Sequence, residues 1–328
     1  MDVVNVVVMA PALGPDLSYV SAVDHRVRVI DANKSAGAEL DAALGVADVL
    51  LFGFPVPPVI AARAPNLVWA HHTQAGVSNL HETDLWTADV TLTSSRGVMA
   101  AGAIAEYVIA AAAFFARGLH EGMRQKHAGV FTRSGYRMVS FQNATMGVVG
   151  LGGIGREVAR QAKGLGMRVL ATRRSVTAPA YDTDGVDCLL PPGQLQQMAA
   201  ESDFLAVCAQ LTAETTGLID ARVISALKPG AVLINVARGE EVDEQALVDG
   251  LISGQLRGAV LDVYDGELAG RQPRAELLEL PQVLLTPHIS GRGDAGNWEP
   301  NRRLFADNLR RFLLDEPLLN VVDRQRGY

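Results

Sequence analysis

Three residues that could do chemistry stand just beyond three apolar runs in the second half of the chain. They are Arg238 after AVLINV, Glu267 after GAVLDVY and His288 after VLLTP. A guanidinium can grip a carboxylate, an imidazole can give or take a proton, and a carboxylate beside the imidazole can keep it protonated. Reducing a 2-oxo acid needs these three functions together. A single Arg, Glu or His beyond a strand is usually a solvated or capping residue. Three at strand ends, where open α/β sheets bind ligands, read as one reaction centre.

A glycine-rich turn precedes them. Gly150-Leu151-Gly152-Gly153-Ile154-Gly155 follows the apolar run MGVV and opens the amphipathic stretch REVARQAKGLG. In that context the first glycine permits a tight turn and the second lets backbone approach a pyrophosphate. The third lets helix and strand pack closely, and the helix N-terminus offers N–H groups and partial positive charge. A carboxylate about 20 residues on would select NAD(H), and an arginine there would accommodate the 2′-phosphate of NADP(H). Arg173, Arg174 and Ser175 occupy that place, with no carboxylate along the sequence until Asp182. NADP(H) is therefore favoured, and NAD(H) stays open if the arginines are merely solvated.

The elements that must position these residues follow an alternating rhythm. Buried strands are expected at Asn5–Met9, Val27–Asp31, Val49–Phe52, Leu67–His71 and Val90–Thr93, then a long Ala-rich helix from near Met99 through AIAEYVIAAAAFFARGLHEGMRQ. A second series has strands at Met146–Val149, Arg168–Ala171, Phe204–Cys208, Ala231–Asn235, Gly258–Asp262 and Val283–Thr286, and a last helix ends near Leu313. Repeated βαβ units imply parallel sheets. The expected fold is α/β, two Rossmann-like domains. A dinucleotide-binding domain at 98–289 is inserted into a discontinuous, flavodoxin-like substrate domain made of 1–97 and 290–328, with substrate in the cleft.

The chain has 328 residues, 48% hydrophobic and 20% charged, and a net charge of −7. That composition is globular, and the negative field disfavours nucleic acid or an anionic membrane as partner. The N-terminal run has no basic flank or cleavage site, no stretch is long enough to span a bilayer, and two cysteines make no disulfide framework, so a cytoplasmic location is expected. No cluster has metal-ligand spacing, and no metal is expected. His71 and His72 adjoin on a strand and so face opposite sides. Trp298 reads as packing, or as the wall of a pocket.

In order and spacing, GVVGLGGIG, INVARGEEVDEQAL, GAVLDVYDGE and VLLTPHISG resemble the D-isomer-specific 2-hydroxyacid dehydrogenase family. The resemblance implies that Arg238 binds the substrate carboxylate and carbonyl oxygen, and that His288 is general acid in reduction and base in oxidation. It implies that Glu267 orients the imidazole and favours its protonated form. Asp262 would accept from the nicotinamide carboxamide. Val236, Ala237 and Gly291 would line the cofactor, with Gly153 and Ile154 at its pyrophosphate. The Ala75–Gly76 turn matches the family's carboxylate-gripping loop, although Ser78-Asn79 replaces the usual glycine and aspartate. Cys208-Ala209-Gln210-Leu211-Thr212 replaces an H-x-P-L-T segment, and Leu268 a proline. Glu267 is unlike the glutamine of formate oxidisers, and Ala75 unlike the lysine of phosphite oxidisers. The implied activity is reduction of glyoxylate or hydroxypyruvate by a homodimer. The alternative is a catalytically idle dinucleotide sensor of the corepressor type.

Overall fold

Strands buried on both faces account for most of this architecture. The computed structural model describes residues 3–97, 101–291, 298–325 and 327, and the chain divides into two compact units, Met1–Met99 with Gly293–Tyr328, and Ala100–Arg292.

In the first unit, β1 (Val4–Met9), β2 (Val27–Asp31), β3 (Val49–Phe52), β4 (Trp69–His72) and β5 (Thr91–Ser94) form one parallel sheet in the order β2-β1-β3-β4-β5, the flavodoxin-like arrangement. Short helices α1 (Ser18–Ser21) and α2 (Gly37–Leu44) lie between strands. Alternation divides each strand between two cores. Val7 and Leu50 join Leu44, Leu80 and Leu85 on one face, while Val6, Val8 and Leu51 pack with Trp69 on the other. His71 and His72 do take opposite faces. His71 bonds Thr93 Oγ1 (2.7 Å) and Ser95 Oγ (3.2 Å), while His72 packs against Phe52. Burial pushes the His71 pKa down to about 3, so it is a neutral structural group.

The second unit begins, among described residues, with α3 (Ala101–Ala116). The single long helix expected from the sequence is two helices. α3 is followed by α4 (Leu119–His127) at a bend of 64°. Gly118 makes the break at φ +66, a conformation that ends the ladder and that glycine tolerates best. Met99, the expected start, lies outside the described residues. No single helix among the described residues is long and apolar enough to cross a membrane.

The second sheet contains β6 (Thr145–Val149), β7 (Arg168–Thr172), β8 (Ala180–Thr183), β9 (Val186–Leu190), β10 (Phe204–Val207), β11 (Ala231–Asn235), β12 (Leu256–Leu261) and β13 (Val283–Leu285). Its order is β13-β12-β11-β10-β6-β7-β9-β8, parallel throughout except that β8 runs antiparallel to β9. The seven parallel strands extend the Rossmann order by one, with the reversal between β6 and β10. Helices α5 (Gly153–Gly164), α6 (Leu195–Glu201), α7 (Ala221–Ala226), α8 (Glu244–Ile252) and α9 (Ala275–Glu279) complete the unit. Sheet residues alternate between two cores. Leu205, Val207 and Leu233 share one with Leu247 and Leu251 of α8, and Phe204, Ala206 and Ile234 share the other with Val108 and Phe115 of α3. The β8–β9 hairpin is absent from the sequence expectation. The chain then returns to the first unit as α10 (Glu299–Leu313), whose Phe305 stacks on Trp69 at 5.2 Å. Trp298, at the start of α10, packs against this core.

The fit of α3 on its sheet depends on a missing side chain. A Cβ on Gly258 would lie 2.0 Å from Phe115 Cε1. Gly258→Ala is expected to lower the unfolding free energy by about 1–3 kcal/mol through overpacking. Urea unfolding of the variant measures this, and an unchanged midpoint would show that Phe115 yields freely.

Candidate active site

The glycines of the turn after β6 divide by what surrounds them. A Cβ on Gly150, which sits at φ +93, would fall 2.6 Å from Ala209 Cα, and one on Gly155 would fall 2.1 Å from Gly150 O. Both positions are closed by backbone. A Cβ on Gly152 meets nothing within 4 Å. The loop is thus tight against its own sheet and open on one side, where α5 begins at Gly153 with Ile154 in its first turn. A pyrophosphate needs such a cradle, and these residues fit a dinucleotide.

At the next strand end, Arg173 follows β7, and Arg174 and Ser175 are exposed. No carboxylate was expected near this pair before Asp182, and here the structure corrects the sequence reading. The β8–β9 turn carries Asp184 back to it, with Arg173 Nη1 donating to Asp184 Oδ2 at 2.8 Å. Arg156 of α5 donates to the other oxygen at 2.9 Å. Arg173 Nε is buried without a hydrogen-bond partner among the described residues.

The three chemistry-bearing residues follow β11, β12 and β13, which are neighbours in the sheet. At about 4.8 Å between strands, three strand ends span roughly 10 Å. After β11, Val236 and Ala237 are buried and lead to half-buried Arg238. Asn235 shapes this turn, its Oδ1 accepting from Ala237 N–H (3.0 Å) and its Nδ2 donating to Arg238 O (2.8 Å). Arg238 Nη1 donates to Ala237 O at 2.7 Å. Burial pushes the Arg238 pKa down, while Glu241, Glu240 and Glu267 pull it back up. After β12, Glu267 opens a short turn behind Gly266 at φ +82, and Glu267 Oε1 accepts from His288 Nδ1 at 3.0 Å. With Nδ1 committed as donor, Nε2 is the ring atom that can exchange a proton.

His288 itself sits at φ +53, unusual for a residue with a side chain. Asp262 holds it there. His288 N–H donates to Asp262 O (3.0 Å), Ile289 N–H to Oδ1 and Ser290 N–H to Oδ2, both at 2.8 Å. Thr286 Oγ1 donates to Oδ1 at 2.6 Å, and Tyr107 of α3 bonds Thr286 Oγ1 at 2.5 Å. Gly291 follows in a half-buried turn. Ala75 and Gly76 lie in the first unit, after β4. Their loop is pinned where Ser95 N–H donates to Gln74 O (3.0 Å) and Asn301 Nδ2 to Thr73 O (2.8 Å). Ser78–Leu80 forms one tight turn.

Sequence reasoning missed Asn235, Tyr107, Thr286 and Glu241. Asn235 carried a signal, an Asx residue ending an apolar run, and the others show only in three dimensions. Glu241 Oε2 accepts from Arg238 N–H at 3.2 Å, and burial pushes its carboxyl pKa up to about 7. Burial pushes the Cys208 thiol up to about 12, with the charge of Glu241 adding to the rise, and Cys188 is buried on β9. No group of three His, Cys, Asp or Glu among the described residues could hold a metal ion.

The family model described as D-isomer specific 2-hydroxyacid dehydrogenase, NAD binding domain, matches residues 109–290. The chain belongs to this family. It is 32% identical over 281 residues to a D-3-phosphoglycerate dehydrogenase of Mycobacterium leprae, covering 83% of this chain and 50% of that protein. A glyoxylate reductase of Pyrococcus furiosus is 30% identical over 270 residues, with 80% and 78% covered. The chain spans about half the length of the D-3-phosphoglycerate dehydrogenases it matches. Among solved structures, a family member from Xanthobacter autotrophicus in complex with NADPH and MES superposes with a TM-score of 0.80 at 27% identity, covering 99% of this chain and 100% of that one. The family's Rossmann-like, two-domain fold is the fold seen here.

Two outcomes follow from these contacts. In Tyr107→Phe the Thr286–Asp262 bond loses its outer donor, and hydrogen exchange at the Ile289 and Ser290 amides should quicken several-fold, whereas unchanged exchange would show that Asp262 holds the turn alone. The raised Glu241 pKa carries a sign. Its stabilising effect is complete below its ordinary value of 4.5 and is lost as pH rises through about 7. Glu241→Gln is therefore expected to gain a few degrees of Tm on the wild type between pH 5 and pH 8. A pH-independent difference in Tm would contradict it.

Proposed function

We propose that the protein is an NAD(P)-dependent 2-hydroxyacid dehydrogenase that interconverts a small 2-oxo acid and its D-2-hydroxy acid. The observation that carries this is the His288–Glu267 pair at 3.0 Å, one strand end from Arg238 and in the same unit as the open glycine cradle. Gly150, Gly152, Gly153, Ile154 and Gly155 would hold the pyrophosphate, Val236, Ala237 and Gly291 the neighbouring parts of the cofactor, and Arg173, Arg174 and Ser175 its adenosine ribose. When bound, the reduced nicotinamide supplies the hydride for the carbonyl carbon.

The protein's own residues do the rest. Arg238 pairs with the substrate carboxylate and polarises the carbonyl oxygen. His288 gives its Nε2 proton to that oxygen in reduction and takes it back in oxidation. Glu267 steadies the imidazolium through Nδ1, so the ring keeps one orientation through both directions. Asp262 fixes the turn through its buried oxygens, and acceptance from the nicotinamide carboxamide is the further role assigned to it. Glyoxylate and hydroxypyruvate are the substrates proposed first. The arginine pair supports NADP(H), with NAD(H) as the second cofactor.

The test follows absorbance of the reduced nicotinamide with purified protein, a panel of 2-oxo acids, and NADPH and NADH in parallel. Turnover with glyoxylate or hydroxypyruvate is expected, and His288→Ala should lower kcat by at least about 100-fold while cofactor still binds. Full activity in His288→Ala would remove His288 from the proton step. Cofactor binding without turnover of any acid would leave a dinucleotide-binding protein in place of an enzyme.

A further inference from the structure

The β8–β9 hairpin is an edge addition to the sheet, and its turn returns a carboxylate to the strand end where the adenosine ribose of a dinucleotide belongs. Asp184 stands in that turn at φ +53, followed by Gly185 at φ +79. One oxygen accepts from Arg156 Nη1 (2.9 Å) and the other from Arg173 Nη1 (2.8 Å), so a single carboxylate spans the first turn of α5 and the end of β7. These arginines hold the Asp184 pKa below the usual carboxylate range, and it is charged at neutral pH.

We propose that Asp184 is a specificity-determining residue for the cofactor, competing with the 2′-phosphate of NADP(H) for Arg173 and Arg156 and accepting from the ribose 2′-hydroxyl of NAD(H). The inference rests on the dinucleotide reading of the glycine cradle. A 2′-phosphate dianion would draw on the same guanidinium groups that Asp184 engages through one Nη1 each, and it must displace the carboxylate or face it as a like charge. A 2′-hydroxyl pays no such penalty, since a carboxylate is its natural acceptor. Arginine at this strand end thus does not by itself commit the chain to NADP(H). The hairpin offsets it.

Dissociation constants of NADPH and NADH, read by fluorescence of the bound reduced nicotinamide without substrate, test the inference. Asp184→Asn is expected to tighten NADPH about threefold to tenfold, the scale of freeing two partly exposed ion pairs, and to leave NADH unchanged or weaker. Asp182→Asn, the same loss of charge on the same hairpin, should leave the NADPH-to-NADH ratio where it is. Adding Arg173→Gln to Asp184→Asn should abolish most of the gain. An unchanged ratio in Asp184→Asn, an equal shift in Asp182→Asn, or a gain that survives loss of Arg173 would each overturn the proposal alone. Failure of the wild type to bind either cofactor would overturn the dinucleotide reading, and this inference with it.

Discussion

Asp262 is a buried carboxylate that stands just beyond β12 and ties down the turn after β13. Its side chain accepts from Thr286 Oγ1 and from the amides of Ile289 and Ser290, and its carbonyl accepts from His288 N–H. A carboxylate buried with less help would be costly, and here hydrogen bonds replace its water. The same bonds force His288 into a left-handed conformation that an unconstrained chain would leave. The His288 ring is therefore aimed by backbone, and Glu267 needs only to complete the alignment from one neighbouring strand end. Tyr107 adds a tie from α3, which Phe115 and Gly258 hold against the sheet.

What could be read in the sequence follows from this dependence on strands. Parallel strands buried on both faces appear as unbroken apolar runs, and every such run expected here is a strand, displaced by two residues at most. The placement of Arg238, Glu267 and His288 just beyond strand ends is legible for the same reason. The hairpin of β8 and β9 was not. β8 reads Ala-Tyr-Asp-Thr, with Tyr181 and Asp182 exposed, so no burial pattern marks it. The division of the long Ala-rich stretch into α3 and α4 was hidden too, because helix-forming residues resume beyond Arg117-Gly118 while the backbone turns at the glycine.

Hydrogen-bond partners distant in sequence were the other loss. The pairing of Tyr107 with Thr286 joins residues 179 apart, and nothing local announces it. Nothing local marks Glu241 within the charged segment ARGEEVDEQAL, yet it is fully buried against the turn that carries Arg238. The local rule for the cofactor's ribose counts forward along one strand, and it found arginine without acid. The fold supplied the acid from the following hairpin.

Under the proposed function, a chain with a net charge of −7 holds anionic ligands, and local charges bear on how it does so. At two strand ends, guanidinium groups stand beside carboxylates from their own surroundings. Asp184 lies between Arg156 and Arg173, and Glu240, Glu241 and Glu267 surround Arg238. An unopposed guanidinium at either site would attract any small anion. A moderated one favours an anion only when that anion also brings the rest of its shape, a ribose at one site or a carbonyl beside its carboxylate at the other. At Arg238 the moderation has a second source, because burial makes the charge costly. Under the proposed function, the acidic residues around these arginines take part in the selectivity of both sites.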